Sequence, residues 1–226
     1  FRGDNFGPGV EYTVRSTPVF VDGMLYTVMG QRRQVVAIDA ATGETRWVFR
    51  EPETMRYLRS PRTDFGKGVA YAEIDGRGVI YITSSAYFLW ALDAKTGLPL
   101  EDWGTPIPIE DFSQTGGVDL IPDLVADWEP WQNRTTGPYD PDHGIPRQLG
   151  MVTSSSPPIV VNGVVVVLVG HEPSYDQTRI ENVPGDIMGV DARTGELLWK
   201  FHVIPRPGEF GHETWENDAW QWSGDL

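Results

Sequence analysis

Hydrophobic residues in this chain fall in short runs rich in Val, Ile, Tyr and Phe, and Asp-Gly, Asn-Gly and Thr-Gly pairs separate them. Runs at 17–21 and 24–28 flank Asp22-Gly23, and runs at 35–39 and 45–49 flank Thr42-Gly43. Gly reaches positive φ without a Cβ clash, so these pairs predict hairpin turns between strands. The order returns with runs at 69–74, 79–83 and 87–93, and again with runs at 158–161, 164–169, 187–191 and 197–201. Helical spacing of apolar positions is almost absent, so the pattern predicts strands buried on both faces.

One phrase closes each unit: Ala37-Ile-Asp-Ala-Ala-Thr-Gly43-Glu-Thr-Arg-Trp47, Ala91-Leu-Asp-Ala-Lys-Thr-Gly97 and Gly189-Val-Asp-Ala-Arg-Thr-Gly195-Glu-Leu-Leu-Trp199. Self-similarity at this spacing signals a repeat architecture, and four short antiparallel strands per copy fit one blade of a β-propeller. Asp and Thr are expected to bond back to turn amides, Gly to take the strained position, and Trp47 and Trp199 to stack between blades. The middle copy departs from the pattern, because Trp103 follows Gly97 by six residues and Pro99 intervenes. Asp39 and Asp93 are 54 residues apart, whereas Asp93 and Asp191 are 98 apart. The longer interval is read as an inter-blade insertion at about 104–150, rich in Pro, Gly, Asp and Trp, and expected to form an ordered loop.

Composition narrows the classes. The chain has 226 residues, 40% hydrophobic, enough for a sizeable core. A formal charge of −14 with no clustered Lys or Arg excludes a nucleic-acid partner of the usual kind. Zero cysteines excludes a disulfide framework and thiolate metal sites. The longest apolar run, 159–169, is broken by Asn162-Gly163 and reads as two strands and a turn, not a membrane helix. Phe1 is followed by no leader pattern, so any targeting segment is expected to be removed or to lie outside this sequence.

The Ala-x-Asp-Ala-x-Thr-Gly-x-x-x-Trp phrase resembles the tryptophan-docking motif of quinoprotein dehydrogenases, eight-bladed propellers that carry pyrroloquinoline quinone. Gly66-Lys-Gly-Val-Ala-Tyr71, Thr153-Ser-Ser-Ser-Pro-Pro-Ile-Val-Val161 and Pro205-Arg-Pro-Gly-Glu-Phe-Gly-His-Glu-Thr-Trp215 extend the resemblance over nearly the whole chain. It implies an all-β fold, part of an eight-bladed propeller with about three to four blades, spanning 1–226 as one partial domain. It also implies oxidation of an alcohol, polyol or aldose, electron transfer to a quinone or cytochrome acceptor, and a periplasmic location. Calcium or a lanthanide is the implied cation, since hard ions take carboxylate and quinone oxygens together.

The resemblance also implies site residues. The strand through Asn162-Gly-Val-Val-Val-Val-Leu-Val-Gly-His-Glu172 matches one whose terminal Glu ligates the metal, which assigns Glu172 to the cation and Gly170 and His171 to the cofactor. Without the resemblance, Glu172 reads as a solvated loop carboxylate, and His171 departs from the family's small residue there. Ser154 falls where a hydroxyl bonds a cofactor carboxylate, with Thr153 and Ser155 as near alternatives. Lys67 stands where many members have Arg; it keeps the charge and loses the fork that grips two oxygens. No catalytic residue is assigned, because the family's Asp base, metal-binding Asn and Trp beneath the quinone come from blades further along. The remaining blades are expected from the rest of a longer chain or from another polypeptide. A non-enzymatic propeller scaffold, such as an outer-membrane assembly protein, would use the same docking phrases and stands as the alternative.

Overall fold

A computed structural model describes residues 16–30, 34–59, 67–107, 115–127, 156–169 and 185–221. Its strands form three antiparallel four-stranded sheets, and within each the spatial order follows the chain. The first holds β1 (Val19–Val21), β2 (Met24–Met29), β3 (Gln34–Asp39) and β4 (Thr45–Phe49). The second holds β5 (Ala70–Ile74), β6 (Arg77–Thr83), β7 (Phe88–Asp93) and β8 (Gly117–Asp119). The third holds β9 (Ile159–Val161), β10 (Val164–Leu168), β11 (Ile187–Asp191) and β12 (Leu197–Phe201). Two helices of one turn each, α1 (Met55–Arg59) and α2 (Ile121–Val125), follow β4 and β8. This is the repeated blade of an all-β propeller, as the hairpin chemistry of the sequence implies.

The three repeated phrases fold alike. The Asp39 carboxylate accepts the Ala41 and Thr42 amides, each at 3.0 Å, Asp93 accepts those of Lys95 and Thr96, and Asp191 those of Arg193 and Thr194. Gly43, Gly97 and Gly195 then sit at φ of 74°, 72° and 82°, in the left-handed region that L side chains resist. The Arg46 hydrogen bond, aided by the turn amides, holds the Asp39 carboxyl down to about 2. Each turn is thus a closed Asx motif that needs no help from the rest of the fold.

Between sheets, the turn of one accepts the aromatic side chains of the one before it. Tyr26 Oη and Trp47 Nε1 both donate to the Ala94 carbonyl, at 3.1 and 3.0 Å. One sheet further on, Tyr81 Oη and Trp103 Nε1 both donate to the Ala192 carbonyl, at 2.5 and 3.1 Å. Trp103 therefore takes the docking role despite its displaced position. The fourth strand of its sheet, β8, comes from within the stretch read as an insertion, and so does α2. Gly116 and Gly117 let that strand approach: a Cβ on Gly117 would lie 2.8 Å from the Trp90 ring. Trp199, at the same point of the third sheet, lies 42% exposed and folds over Gly189.

The inner strands and these rings bury two clusters, one around Tyr81, Leu89, Trp103 and Val167 between the second and third sheets, the other around Tyr26, Val35, Ile80 and Trp90 between the first and second. Exposed apolar residues concentrate on β12, where Leu198, Trp199 and Phe201 line an outer strand.

The docking geometry sets a test. A Cβ on Gly97 would lie 2.4 Å from Trp47 Cε3, whereas one on Gly43 meets nothing within 4 Å. Gly43→Ala should cost about 1–2 kcal/mol, the backbone strain alone. Gly97→Ala should cost roughly 1–3 kcal/mol more, because Trp47 must also move. Urea unfolding of the two variants checks the difference; equal costs would remove the docking contact from the account.

Candidate functional site

The repeated turns occupy one end of the sheets, and Lys67 stands at the other. Lys67 and Gly68 precede β5, and the Lys67 carbonyl accepts the Thr17 N–H at 2.9 Å. Gly68 packs so closely that a Cβ there would lie 3.0 Å from the Thr17 carbonyl and 3.7 Å from Pro157 Cβ. The leading edges of all three sheets therefore meet beside Lys67, whose side chain is exposed. β9 starts and β10 finishes at this same end, and the Val169 amide just past β10 donates to the Asp186 carbonyl at 3.0 Å.

Ser154, Gly170, His171 and Glu172 lie outside the described residues. Of the sequence-derived set, Lys67 is the member with a described position, and it stands at the end toward which β10 runs. Among the described residues there is no group of three or more His, Cys, Asp or Glu side chains able to hold a metal. Glu172, which the resemblance assigns to a cation, is not among those residues.

Sequence reasoning missed two electrostatic features at this end. Arg56, on α1 and 2% exposed, forms a two-pronged ion pair with Asp119 at the end of β8, both distances 2.9 Å. Its Nε also donates to the Ala86 carbonyl at 2.8 Å, and its guanidinium lies 4.2 Å from the Phe88 ring centre. The tight turn between β6 and β7 is further closed by Ser84, whose hydroxyl accepts the Ala86 amide at 2.9 Å. Arg56 thus ties the loop leaving the first sheet to both the second and fourth strands' ends of the next one. Its partners are 30 and 63 residues away, so no local pattern announces them.

The second feature is a cluster of six charged or ionisable side chains drawn from four segments. His202 sits between two carboxylates, Nδ1 at 2.8 Å from Glu209 and Nε2 at 3.0 Å from Asp127. Lys200 binds Asp127 and donates to the Asp123 carbonyl at 2.9 Å. Arg206 reaches Asp186 at 3.3 Å, with side-chain exposures of 11% and 2%. Burial pushes the Asp186 carboxyl up and the Arg206 guanidinium down, each against the pull of its partner's charge. Desolvation outweighs attraction in this pair, so it contributes orientation more than stability.

Asp127 and Glu209 behave in the opposite sense. Burial raises both, but Lys200 and then His202 more than offset it for Asp127, and the Arg206 amide and His202 do so for Glu209. Both carboxyls end below their ordinary range. A carboxyl lowered in the fold adds stability above its unfolded value, about 4, and loses it as pH falls through the folded value. Asp186, being raised, acts the other way and does not add to this loss. Protection factors of the Glu209 and His212 amides, whose N–H groups close the turn onto the Arg206 and Glu209 carbonyls, should therefore fall below about pH 4, each rate being compared with the intrinsic one at that pH. Asp127→Asn with Glu209→Gln should flatten that dependence; an unchanged profile would separate the turn from these carboxylates.

The family model described as "PQQ: Glucose/ethanol/alcohol dehydrogenase, beta-propeller domain" matches residues 4–225. The quinohemoprotein alcohol dehydrogenase ADH IIB of Pseudomonas putida is 27% identical over 214 residues, which cover 94% of this chain and 24% of the relative. The glycerol dehydrogenase large subunit of Gluconobacter oxydans is 30% identical over 207 residues, with 92% and 24% coverage. Among solved structures, the quinohemoprotein alcohol dehydrogenase ADHIIG of Pseudomonas putida superposes with a TM-score of 0.55 at 24% identity, over 88% of this chain and 22% of that one. The chain thus spans about a quarter of the length of these relatives. Among the described residues no helix is long and apolar enough to cross a membrane. The repeated docking turns, the three blades and the match over nearly the full length agree: this chain belongs to the PQQ-dependent glucose/ethanol/alcohol dehydrogenase β-propeller family.

Proposed function

We propose that this chain supplies part of the cofactor wall of a periplasmic dehydrogenase that oxidises an alcohol, polyol or aldose and passes electrons to a quinone or cytochrome acceptor. The observation that carries this reading is the convergence at one end of the blades: Lys67 is exposed where the three sheets' leading edges meet, and β10 runs to the same end before Gly170-His171-Glu172. The match to a dehydrogenase domain model favours an enzyme over a scaffold.

Pyrroloquinoline quinone, when bound beside a cation, supplies an electrophilic carbonyl that accepts hydride from the substrate carbon. The chain's own residues hold and orient it. Glu172 gives the cation, calcium or a lanthanide, a hard carboxylate oxygen. Lys67 offers a single positive charge to the quinone oxygens, and Ser154 donates a hydroxyl hydrogen bond to a cofactor carboxylate. Gly170 and His171 border the ring. By the family resemblance, the substrate's proton acceptor, the other metal ligands and the remaining blades are supplied by polypeptide other than these residues, as the chain's span of about a quarter of its relatives' length supports.

Titration with the quinone and calcium or a lanthanide, followed by quinone absorbance, tests the assignment. The complete dehydrogenase polypeptide should bind in a metal-dependent way. Glu172→Ala should abolish that dependence, and Lys67→Ala should weaken binding about tenfold or more, the loss of one charge-assisted hydrogen bond. Unchanged metal dependence in Glu172→Ala would overturn the metal assignment.

A further inference from the structure

At the docking end, a cavity of about 630 Å³ opens between the first and second sheets, a volume in the range of small-molecule sites. One hairpin makes its wall. Val79 faces Asp93 in the second sheet as Val164 faces Asp191 in the third, yet β5 and β6 go on pairing through Glu73–Gly78 and Ile74–Arg77 where β9 and β10 have already turned. This overhang brings Glu73 to the cavity, and Tyr71 takes the register position that Val160 holds in the third sheet. Tyr71 stacks on Tyr26 of the first sheet, with ring centres 6.3 Å and planes 20° apart. Gly78 leaves room for it, since a Cβ there would lie 2.9 Å from the Tyr71 hydroxyl oxygen.

The charges around the two rings are sorted by side. Asp22, in the β1–β2 turn, and Glu73, on β5, come from the first-strand side of their sheets, whereas Arg46, on β4, and Lys95, in the turn after β7, come from the far side. Burial first, and then the Glu73 and Asp22 charges, push the Tyr71 hydroxyl up, so both carboxylates act on that ring. Arg46 is engaged with Asp39 at 2.7 Å, and among the described residues Asp22, Glu73 and Lys95 enter no ion pair. Unpaired charges are ordinary on a surface; here they line one cavity with the two signs apart.

The next groove shows the alternative. Arg193 holds the place of Lys95 in the repeated phrase, and it binds Asp75, in the preceding sheet's Asp-Gly turn, at 2.9 Å. That groove is bridged by the protein's own charges. Asp22 and Lys95 stand in the corresponding turn and phrase of the first groove without bridging it, so it matches a ligand that carries both charges itself. An ammonium group suits Asp22, Glu73 and the negative faces of the tyrosines. A carboxylate suits Lys95 and the Arg46 N–H groups that Asp39 does not use. Val21 and Met24 add apolar lining for a side chain. We propose that the groove between the first two sheets binds a free α-amino acid with an apolar side chain, its ammonium group toward Asp22 and Glu73 and its carboxylate toward Lys95. The site lies at the opposite end of the sheets from Lys67, and its test needs no quinone.

Isothermal titration of the complete dehydrogenase polypeptide uses three probes that share one ring: L-phenylalanine, phenethylamine, which lacks the carboxylate, and 3-phenylpropionate, which lacks the amine. L-Phenylalanine should bind about tenfold or more tightly than either, the contribution of one charge-assisted contact. Glu73→Gln should weaken L-phenylalanine about tenfold and leave 3-phenylpropionate unchanged, and Lys95→Met should weaken it about tenfold and leave phenethylamine unchanged. Both positions are exposed, so the fold tolerates either change. Tyr71→Val, which copies the third sheet, should weaken all three probes. Equal affinity for the three probes, L-phenylalanine binding unmoved by both charge variants, or no heat of binding up to the solubility limit of L-phenylalanine would each overturn the proposal.

Discussion

The hydrogen bonds from Tyr26 and Trp47 to the Ala94 carbonyl, and from Tyr81 and Trp103 to Ala192, are the constraint on which the rest of the structure depends. A four-stranded antiparallel sheet has two faces to bury, and nothing in its own ladder says how the next sheet should stand against it. Two donors aimed at one carbonyl fix that relation, because moving the second blade would leave two buried polar groups without partners. The acceptor is presented rigidly, because Asp93 or Asp191 has already closed the turn on its own amides. The ring faces then bury apolar area against the neighbour, and dispersion and hydrophobic burial do most of the stabilising.

That constraint divides the molecule into two ends with different chemistry. At the docking end, the ion pairs are exposed, within a sheet for Arg46–Asp39 and Arg77–Asp93 and between sheets for Arg193–Asp75. At the opposite end, Arg56–Asp119 and Asp186–Arg206 are buried, the first joining segments 63 residues apart. Buried pairs are poor sources of stability and good sources of geometry. Both pairs lie at the end of the sheets at which Lys67 precedes β5.

The docking end was legible in the sequence for a physical reason: an Asx turn with a left-handed glycine is a local object, and its whole signal fits inside Asp-Ala-x-Thr-Gly. Even the displaced Trp103 keeps its role, since a ring can reach the same carbonyl from a longer connection. β8 was not legible, because Gly117–Asp119 is three residues long with no room for alternation. What makes it a strand is its pairing with Phe88–Trp90 on a strand that precedes it by many residues. The charged cluster was invisible for the same reason, with His202 and Asp127 separated by 75 residues. His202 bridges two carboxylates that no local pattern pairs with it. Of the candidate site, Lys67, which the resemblance assigns to the quinone oxygens, precedes β5, while Ser154, Gly170, His171 and Glu172 fall outside the described residues.

The most direct test of the central claim is a crystal structure of the complete polypeptide loaded with pyrroloquinoline quinone and calcium. The account predicts the quinone at the end of the blades opposite the Asp39, Asp93 and Asp191 turns, a Glu172 oxygen at about 2.3–2.6 Å from the cation, and Lys67 Nζ within hydrogen-bond reach of a quinone oxygen. A quinone bound at the docking end, or a cation ligated without Glu172, would contradict it.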